Sequence, residues 1–255
     1  MATYRLDIKY DGRGFSGWAV QPGKRTVQGE LEEALEKVLG EPTRLTVAGR
    51  TDAGVHALGQ VAGFATERPV PRSLRRALNS LTGPDLAVPA VTEVAEGFDA
   101  RRDARSRRYR YRLDTAPAPN PFEYRRTLHW PHRFDAELAD ESARLLRGVH
   151  DFTAFTPTDT RHQHFDRTVL DAGWGRESEH VLAFEVEADA FLRGMVRALV
   201  GTILEVAAER RTLADFERLL GGASRREAGD SMSPYGLYLL RVAYPDATAG
   251  PPGHS

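Results

Sequence analysis

The sequence predicts an α+β protein, with a ferredoxin-like, split β-α-β arrangement over its first hundred residues and a second α+β domain after it. Three observations carry this. Apolar and polar residues alternate strictly near the N-terminus, a capped amphipathic helix follows, and the elements then run in the order β-α-β-β-α-β.

Tyr4, Leu6, Ile8 and Tyr10 alternate with Arg5, Asp7 and Lys9, the period of a half-buried strand. Thr26 is placed to cap a helix in which Val27, Leu31, Ala34, Leu35 and Val38 share one face and after which Gly40 stands. Strands near 44–47 and 60–65, a short basic helix over 71–81 and a strand over 86–94 complete the first domain, residues 1–105. In such a domain the helices cover one face of an antiparallel sheet and leave the other open to a ligand.

The second domain, residues 106–245, is predicted from a strand over 106–114, a helix over 136–147, strands near 168–174 and 181–188, helices over 191–210 and 213–220, and a strand over 237–242. Ala116 to Pro121 reads as a proline-set loop, and residues 246–255 as a disordered tail.

The chain has 255 residues, of which 41% are hydrophobic, so it can bury a large core. Neither an apolar run of about eighteen residues nor a signal sequence is visible, which predicts a cytoplasmic protein without a membrane partner. The absence of cysteine excludes disulfides, thiolate metal sites and thiol nucleophiles. Net charge is −1, yet between Gly97 and Arg133 ten arginines face four acids, a stripe suited to a phosphate backbone. Solvated arginines in a chain with 32 arginines and three lysines would produce the same count.

Gly12-Arg13-Gly14-Phe15-Ser16-Gly17 spells the dinucleotide-binding pattern GxGxxG, but Pro22-Gly23 follows where a helix should open, so the match is a decoy. His162 with His164, and His129 with His132, lack the spacing of a metalloprotease, and no metal or cofactor is expected. Neither a phosphate-binding GxxxxGK[ST] loop nor a GxSxG elbow occurs.

Ala48-Gly49-Arg50-Thr51-Asp52-Ala53-Gly54-Val55-His56-Ala57 gathers Arg, Thr, Asp and His within seven residues between two glycines. It reads equally as a site at a sheet end or as a polar turn built around Asp52. In Arg107-Arg108-Tyr109-Arg110-Tyr111-Arg112, the tyrosines share one strand face and Arg108, Arg110 and Arg112 the other, which suits base stacking with phosphate contacts or a tyrosine core with a solvated arginine face. In the helix from Phe191, Arg197 shares a stripe with Gly194, Ala198 and Gly201, where it either packs against an acceptor or reaches water.

Seven segments in order resemble the tRNA pseudouridine synthase A family from Tyr10 to Pro245. They are Tyr10-Asp11-Gly12 with Phe15 and Gly17-Trp18; Thr26-Val27-Gln28; Gly49 to His56; Phe98-Asp99-Ala100-Arg101; Arg108-Tyr109-Arg110-Tyr111; Met195-Val196-Arg197 with Gly201; and Gly236-Leu237-Tyr238-Leu239. The resemblance implies two ferredoxin-like domains whose antiparallel sheets join around a central basic cleft. It also implies a homodimer that isomerises uridines 38 to 40 of the tRNA anticodon arm without a cofactor. By the same resemblance Asp52 is the nucleophile, attacking ribose or uracil, and Arg197 its ion-pair partner. Tyr109 is the ring against the target base, Leu237 part of the pocket wall, and Arg50 the group that displaces the base. Thr51 and His56 join Arg50 in substrate binding, and Arg101, Arg105, Arg108 and Arg110 are expected along the RNA backbone. Ala19, where glutamine is frequent, and Leu192-Arg193-Gly194, where bulkier or polar residues are frequent, depart from the family pattern beside these positions.

A separate possibility is a non-catalytic RNA-binding module of tandem RRM-like folds, although its RNP1-type string is absent. Another is a hydrolase using a metal at His162 and His164.

Overall fold

The structure is a computed structural model and describes residues 1–160 and 163–245. His162 and the tail expected at 246–255 lie outside the described residues. The fold is mixed α+β with mostly antiparallel strands, and it divides into two compact units: Met1–Arg105 with the segment from Leu239 onward, and Ser106–Tyr238.

In the first unit the alternating N-terminal residues form β1 (Ala2–Tyr10), whose Leu6, Ile8 and Tyr10 are buried. Helix α1 (Val27–Leu39) begins where the sequence places its cap: Thr26 Oγ1 accepts the Gly29 N–H at 3.3 Å, and Gly40 ends the helix at φ 74°. β2 (Thr46–Val47), β3 (His56–Thr66), α2 (Leu74–Leu81) and β4 (Leu86–Val94) follow. β1 pairs antiparallel with β3 on one side and β4 on the other, and β2 pairs antiparallel with the far edge of β3. Leu6 lies opposite Ala62 and Ile8 opposite Gln60, and a register shift between Ile8 and Tyr10 then brings Tyr10 opposite Ala57, beside the start of β3.

The second unit opens on β5 (Ser106–Asp114), with the short β6 (Leu128–His129) parallel along it. Helix α3 (Ala136–Leu145), β7 (Gly148–Asp151), β8 (Asp166–Arg176), β9 (Val181–Ala188), α4 (Met195–Ala207) and α5 (Leu213–Leu219) complete it. The strands run β5-β9-β8-β7, each neighbouring pair antiparallel. The core gathers Tyr111, Phe152, Phe155, Phe184 and Phe216 beside α4, a helix buried along most of its length.

Two expectations are corrected. Helix α4 starts at Met195 rather than near Phe191, because Gly194 holds φ 69°, a left-handed turn that cannot extend an α-helix toward the N-terminus. The last strand, β10 (Leu237–Ala243), returns from Leu239 to the first unit instead of remaining with residues 106–245. Gly59 of β3 permits this, since a Cβ there would lie 2.3 Å from the Leu240 carbonyl oxygen. The short strands β6 and β7 carry too few residues for a period to show and have no counterpart in the sequence expectations.

Candidate active site

Between β2 and β3 the chain makes the loop 48–55, which carries Arg50, Thr51 and Asp52 just before the start of β3. The Val55 N–H donates to the Asp52 carbonyl at 3.2 Å, and Gly54 at φ 82° closes the turn. Asp52 is half-buried, whereas Arg50 is exposed.

The loop rests on a second segment, residues 10–18. The Tyr10 phenol and the Thr51 hydroxyl are 2.8 Å apart. Gln60, fully buried, donates from Nε2 to the Gly49 carbonyl at 2.8 Å and to the Tyr10 oxygen at 3.4 Å. Burial pushes the Tyr10 phenol up to about 12, against the hydrogen bonds from Thr51 and Gln60 that pull it down. Trp18 adds a backbone bond from its N–H to the Thr51 carbonyl, 3.0 Å.

The GxGxxG string finds its use here. It forms a one-turn 3-10 helix, Gly12–Gly14, rather than the N-terminus of an α-helix, so the dinucleotide pattern is indeed a decoy. Two of its glycines are demanded by proximity to the Asp52 loop. A Cβ on Gly12 would stand 2.1 Å from the Val55 carbonyl oxygen, and one on Gly17, at φ 93°, would stand 2.9 Å from the Thr51 oxygen.

His56, with 4% of its side chain exposed, ties the same two segments together. Its Nδ1 accepts the Gly12 N–H at 3.2 Å and lies 3.3 Å from Asp11 Oδ1. Burial alone would raise the Asp11 carboxyl, but hydrogen bonds from Arg13 and the neighbouring His56 bring it down to about 2. These bonds of Thr51 and His56 run to the segment 10–18 and hold the loop against it.

In the second unit, β5 splits its residues between two environments as its alternation predicts. Tyr109, 8% exposed, meets Phe191 edge to face with ring centres 4.9 Å apart, and Tyr111 is fully buried with its hydroxyl donating to the Ser233 carbonyl at 2.8 Å. On the opposite face Arg108 stands directly across from Glu187 and Arg110 across from Glu185. Arg108 donates to Glu187 (2.8 Å), Glu185 (3.1 Å) and Asp171 (3.0 Å), while Arg110 contacts Glu185 (2.6 Å) and Glu177 (2.8 Å). Burial works to lower the Arg108 guanidinium, and the glutamates outweigh it and raise it. The arginine face is therefore neutralised by carboxylates of its own sheet.

Arg197, in the first turn of α4, has among its partners the Met232 carbonyl, to which Nε donates at 2.6 Å. The small residues beside it allow this approach, because a Cβ on Gly201 would fall 1.9 Å from the Asp230 carbonyl oxygen. Met232 N–H returns a bond to the Arg197 carbonyl at 3.1 Å, so residues 230–233 run between α4 and the Tyr111 hydroxyl up to the buried Leu237. Arg101 and Arg105 are exposed near the end of the first unit, where Asp99 Oδ1 accepts the Arg101 N–H at 2.9 Å. Tyr10, Asp11 and Gln60 carry no role in the sequence reading. The usable signal for Gln60 is its polarity within the otherwise apolar run of β3.

A family model described as tRNA pseudouridine synthase matches residues 8–101 and 142–245. The chain belongs to the tRNA pseudouridine synthase A family. It is 40% identical to tRNA pseudouridine synthase A of Myxococcus xanthus, covering 100% of this chain and 96% of that one. The Mycobacterium leprae (strain TN) protein of the same name is 41% identical over 94% of this chain and 89% of its own. That of Geobacillus sp. (strain WCH70) is 39% identical over 94% and 97%. A solved chain titled "Crystal Structure of a Cbf5-Nop10-Gar1 Complex" overlays with a TM-score of 0.33 at 12% identity, covering 78% of this chain and 54% of that one, a likeness too slight to carry an argument. The protein is thus an isomerase that converts uridine in tRNA to pseudouridine. No helix among the described residues is long and apolar enough to cross a membrane.

Proposed function

We propose that this member of the family acts on uridines 38 to 40 of the anticodon stem-loop, with Asp52 as its nucleophile and without metal or nucleotide. The observation that carries the proposal is the half-buried Asp52 on a loop whose neighbours Gly49, Thr51, Val55 and His56 are each hydrogen-bonded or packed against the segment 10–18 or β3. A carboxylate held in this way is oriented for attack before substrate arrives.

The reaction breaks the glycosidic bond from ribose to uracil N1 and forms a bond from the same ribose carbon to uracil C5. The hydrogen on C5 leaves as a proton, and N1, freed from the sugar, takes up a proton in its place. Atoms and electrons balance within one nucleotide, so neither an oxidant nor an energy source enters. The ionised Asp52 carboxylate adds to the ribose or the uracil ring and is regenerated when the turned base rejoins. The detached base must be kept from diffusing away, which calls for an enclosed pocket around a flipped nucleotide. The family resemblance supports Arg197 as the ion-pair partner of Asp52, Tyr109 as the ring against the base, Leu237 as pocket wall and Arg50 as the group that displaces the base. It likewise supports two ferredoxin-like domains around a basic cleft and a cytoplasmic homodimer. The pairing of β1 with β4 and β3, and of β2 with β3, supports the split β-α-β reading of the first unit.

Incubation with tRNA carrying tritium at uridine C5, without added metal or nucleotide, should release tritium to water, and mapping should place the product at 38 to 40. Binding of tRNA with no release, where a control synthase is active, would overturn the proposal in favour of an RNA-binding module without chemistry.

A further inference from the structure

The proline-set loop that the proposed chemistry does not use has the build of a binding site. Within the second unit, Phe122 and Tyr124 are 86% and 65% exposed, two large aromatic side chains displayed two positions apart. Exposed apolar rings cost solvation and mark contact surfaces when clustered.

Their display is rigid. Asn120 Oδ1 accepts the Phe122 N–H at 3.0 Å and starts a one-turn helix, Pro121–Glu123, with prolines at 119 and 121 limiting the backbone. Glu123 is gripped by the Arg112 guanidinium at 2.7 and 3.1 Å, and its carbonyl accepts the N–H groups of Arg126 and Thr127. Arg125 adopts φ 56°, unusual for a residue with a side chain, and its guanidinium lies 4.7 Å from the Tyr235 ring centre and 5.5 Å from that of Tyr124. Tyr124, Arg125, Tyr235, Asn120 and His129 line a cavity of about 690 Å³. That falls within the roughly 300–1,000 Å³ of small-molecule sites.

The charge around the cavity points to the occupant. Glu123 and Glu177 share the Arg112 guanidinium, the buried Asp114 carboxylate accepts the Ala116 N–H, and Arg125 and Arg126 are exposed beside the rings. Exposed guanidinium groups interleaved with aromatic faces are the pairing by which single-stranded nucleic acid is held without sequence readout.

We propose that loop 119–127 with Tyr235 is a stacking subsite for unpaired nucleotides of the RNA substrate, additional to the pocket for the target uridine. It rests on the reading of the protein as an enzyme of RNA. Phe122 and Tyr124 supply the stacking faces and Arg125 the phosphate contact. Because the loop is already ordered, binding carries little further entropic cost on the protein side.

Fluorescence anisotropy on the full chain, with a labelled stem-loop RNA and a blunt duplex of equal length, tests this. Phe122→Ala combined with Tyr124→Ala should weaken stem-loop binding by about tenfold or more while duplex binding stays within about twofold. Phe122→Tyr with Tyr124→Phe should restore it, and Arg125→Ala should reduce the salt dependence of stem-loop binding by about one phosphate contact. Thermal melting of each variant verifies its fold, and sedimentation verifies its assembly. Equal stem-loop affinity of wild type and the double-alanine variant would overturn the subsite. So would a change in sedimentation accompanying the loss, since the rings would then be a contact between copies of the chain. A wild-type protein that binds neither RNA and releases no tritium would instead overturn the RNA-enzyme reading itself, which separates the two failures.

Discussion

The Tyr10 phenol and the Thr51 hydroxyl stand 2.8 Å apart, joining the end of the first strand to the residue immediately before Asp52. Forty-one residues separate them in sequence, and Gln60 completes the contact from β3. The carboxylate is thus positioned by buried groups that need never touch the substrate.

Replacing Tyr10 with Phe should lower stability by about 1–2 kcal/mol, because it removes a buried hydrogen bond and leaves Thr51 with one partner fewer. kcat should fall severalfold, with KM for tRNA little changed, if the bond acts through Asp52. The variant also has a pH signature. The folded-state pKa is raised from 10.0 to about 12, so this stabilisation is complete below pH 10 and lost as pH rises toward 12. Chemical denaturation across that window should show a steeper alkaline loss in wild type than in Tyr10→Phe.

Asp52→Ala should abolish tritium release while leaving tRNA affinity within severalfold, since affinity comes from arginines and rings rather than from a carboxylate. Residual turnover in this variant would remove Asp52 from the role of nucleophile.

Gly12→Ala should destabilise the protein by about 3 kcal/mol, as the new methyl would sit 2.1 Å from a backbone oxygen that cannot rotate away. Gly173→Ala is the control: nothing lies within 4 Å of its added carbon, and its effect should stay within about 0.5 kcal/mol. Thermal or urea melts distinguish the two directly.

Arg108→Met should cost about 2–3 kcal/mol, because it strips Glu187, 8% exposed, of its guanidinium. It should leave the salt dependence of tRNA binding unchanged. Arg101→Ala and Arg105→Ala, on exposed positions, should each reduce that dependence by about one contact without loss of stability. A reduced salt slope in Arg108→Met would return Arg108 to the RNA backbone.

Much of this molecule is legible in local spacing. Thr26 and Gly40 bound α1, the alternation of β1 and β5 sorts their faces, and seven short segments identify the family. Periods of 2 and 3.6 residues and the stereochemistry of caps are properties of neighbours in the chain, so the chain alone determines them. The sequence could equally show that GxGxxG opens no helix, though not what it does instead.

Tertiary structure decided the rest, through contacts between residues far apart. It set Gly12 against Val55, His56 between Gly12 and Asp11, and Gln60 beneath Gly49. It also paired Arg108 and Arg110, which the resemblance expects along the RNA backbone, with Glu185 and Glu187 of the neighbouring strand. Charge counts cannot foresee that outcome, because whether an arginine faces RNA or its own sheet depends on which strand lies alongside. That register is determined by the burial of the whole sheet face rather than by the residue itself.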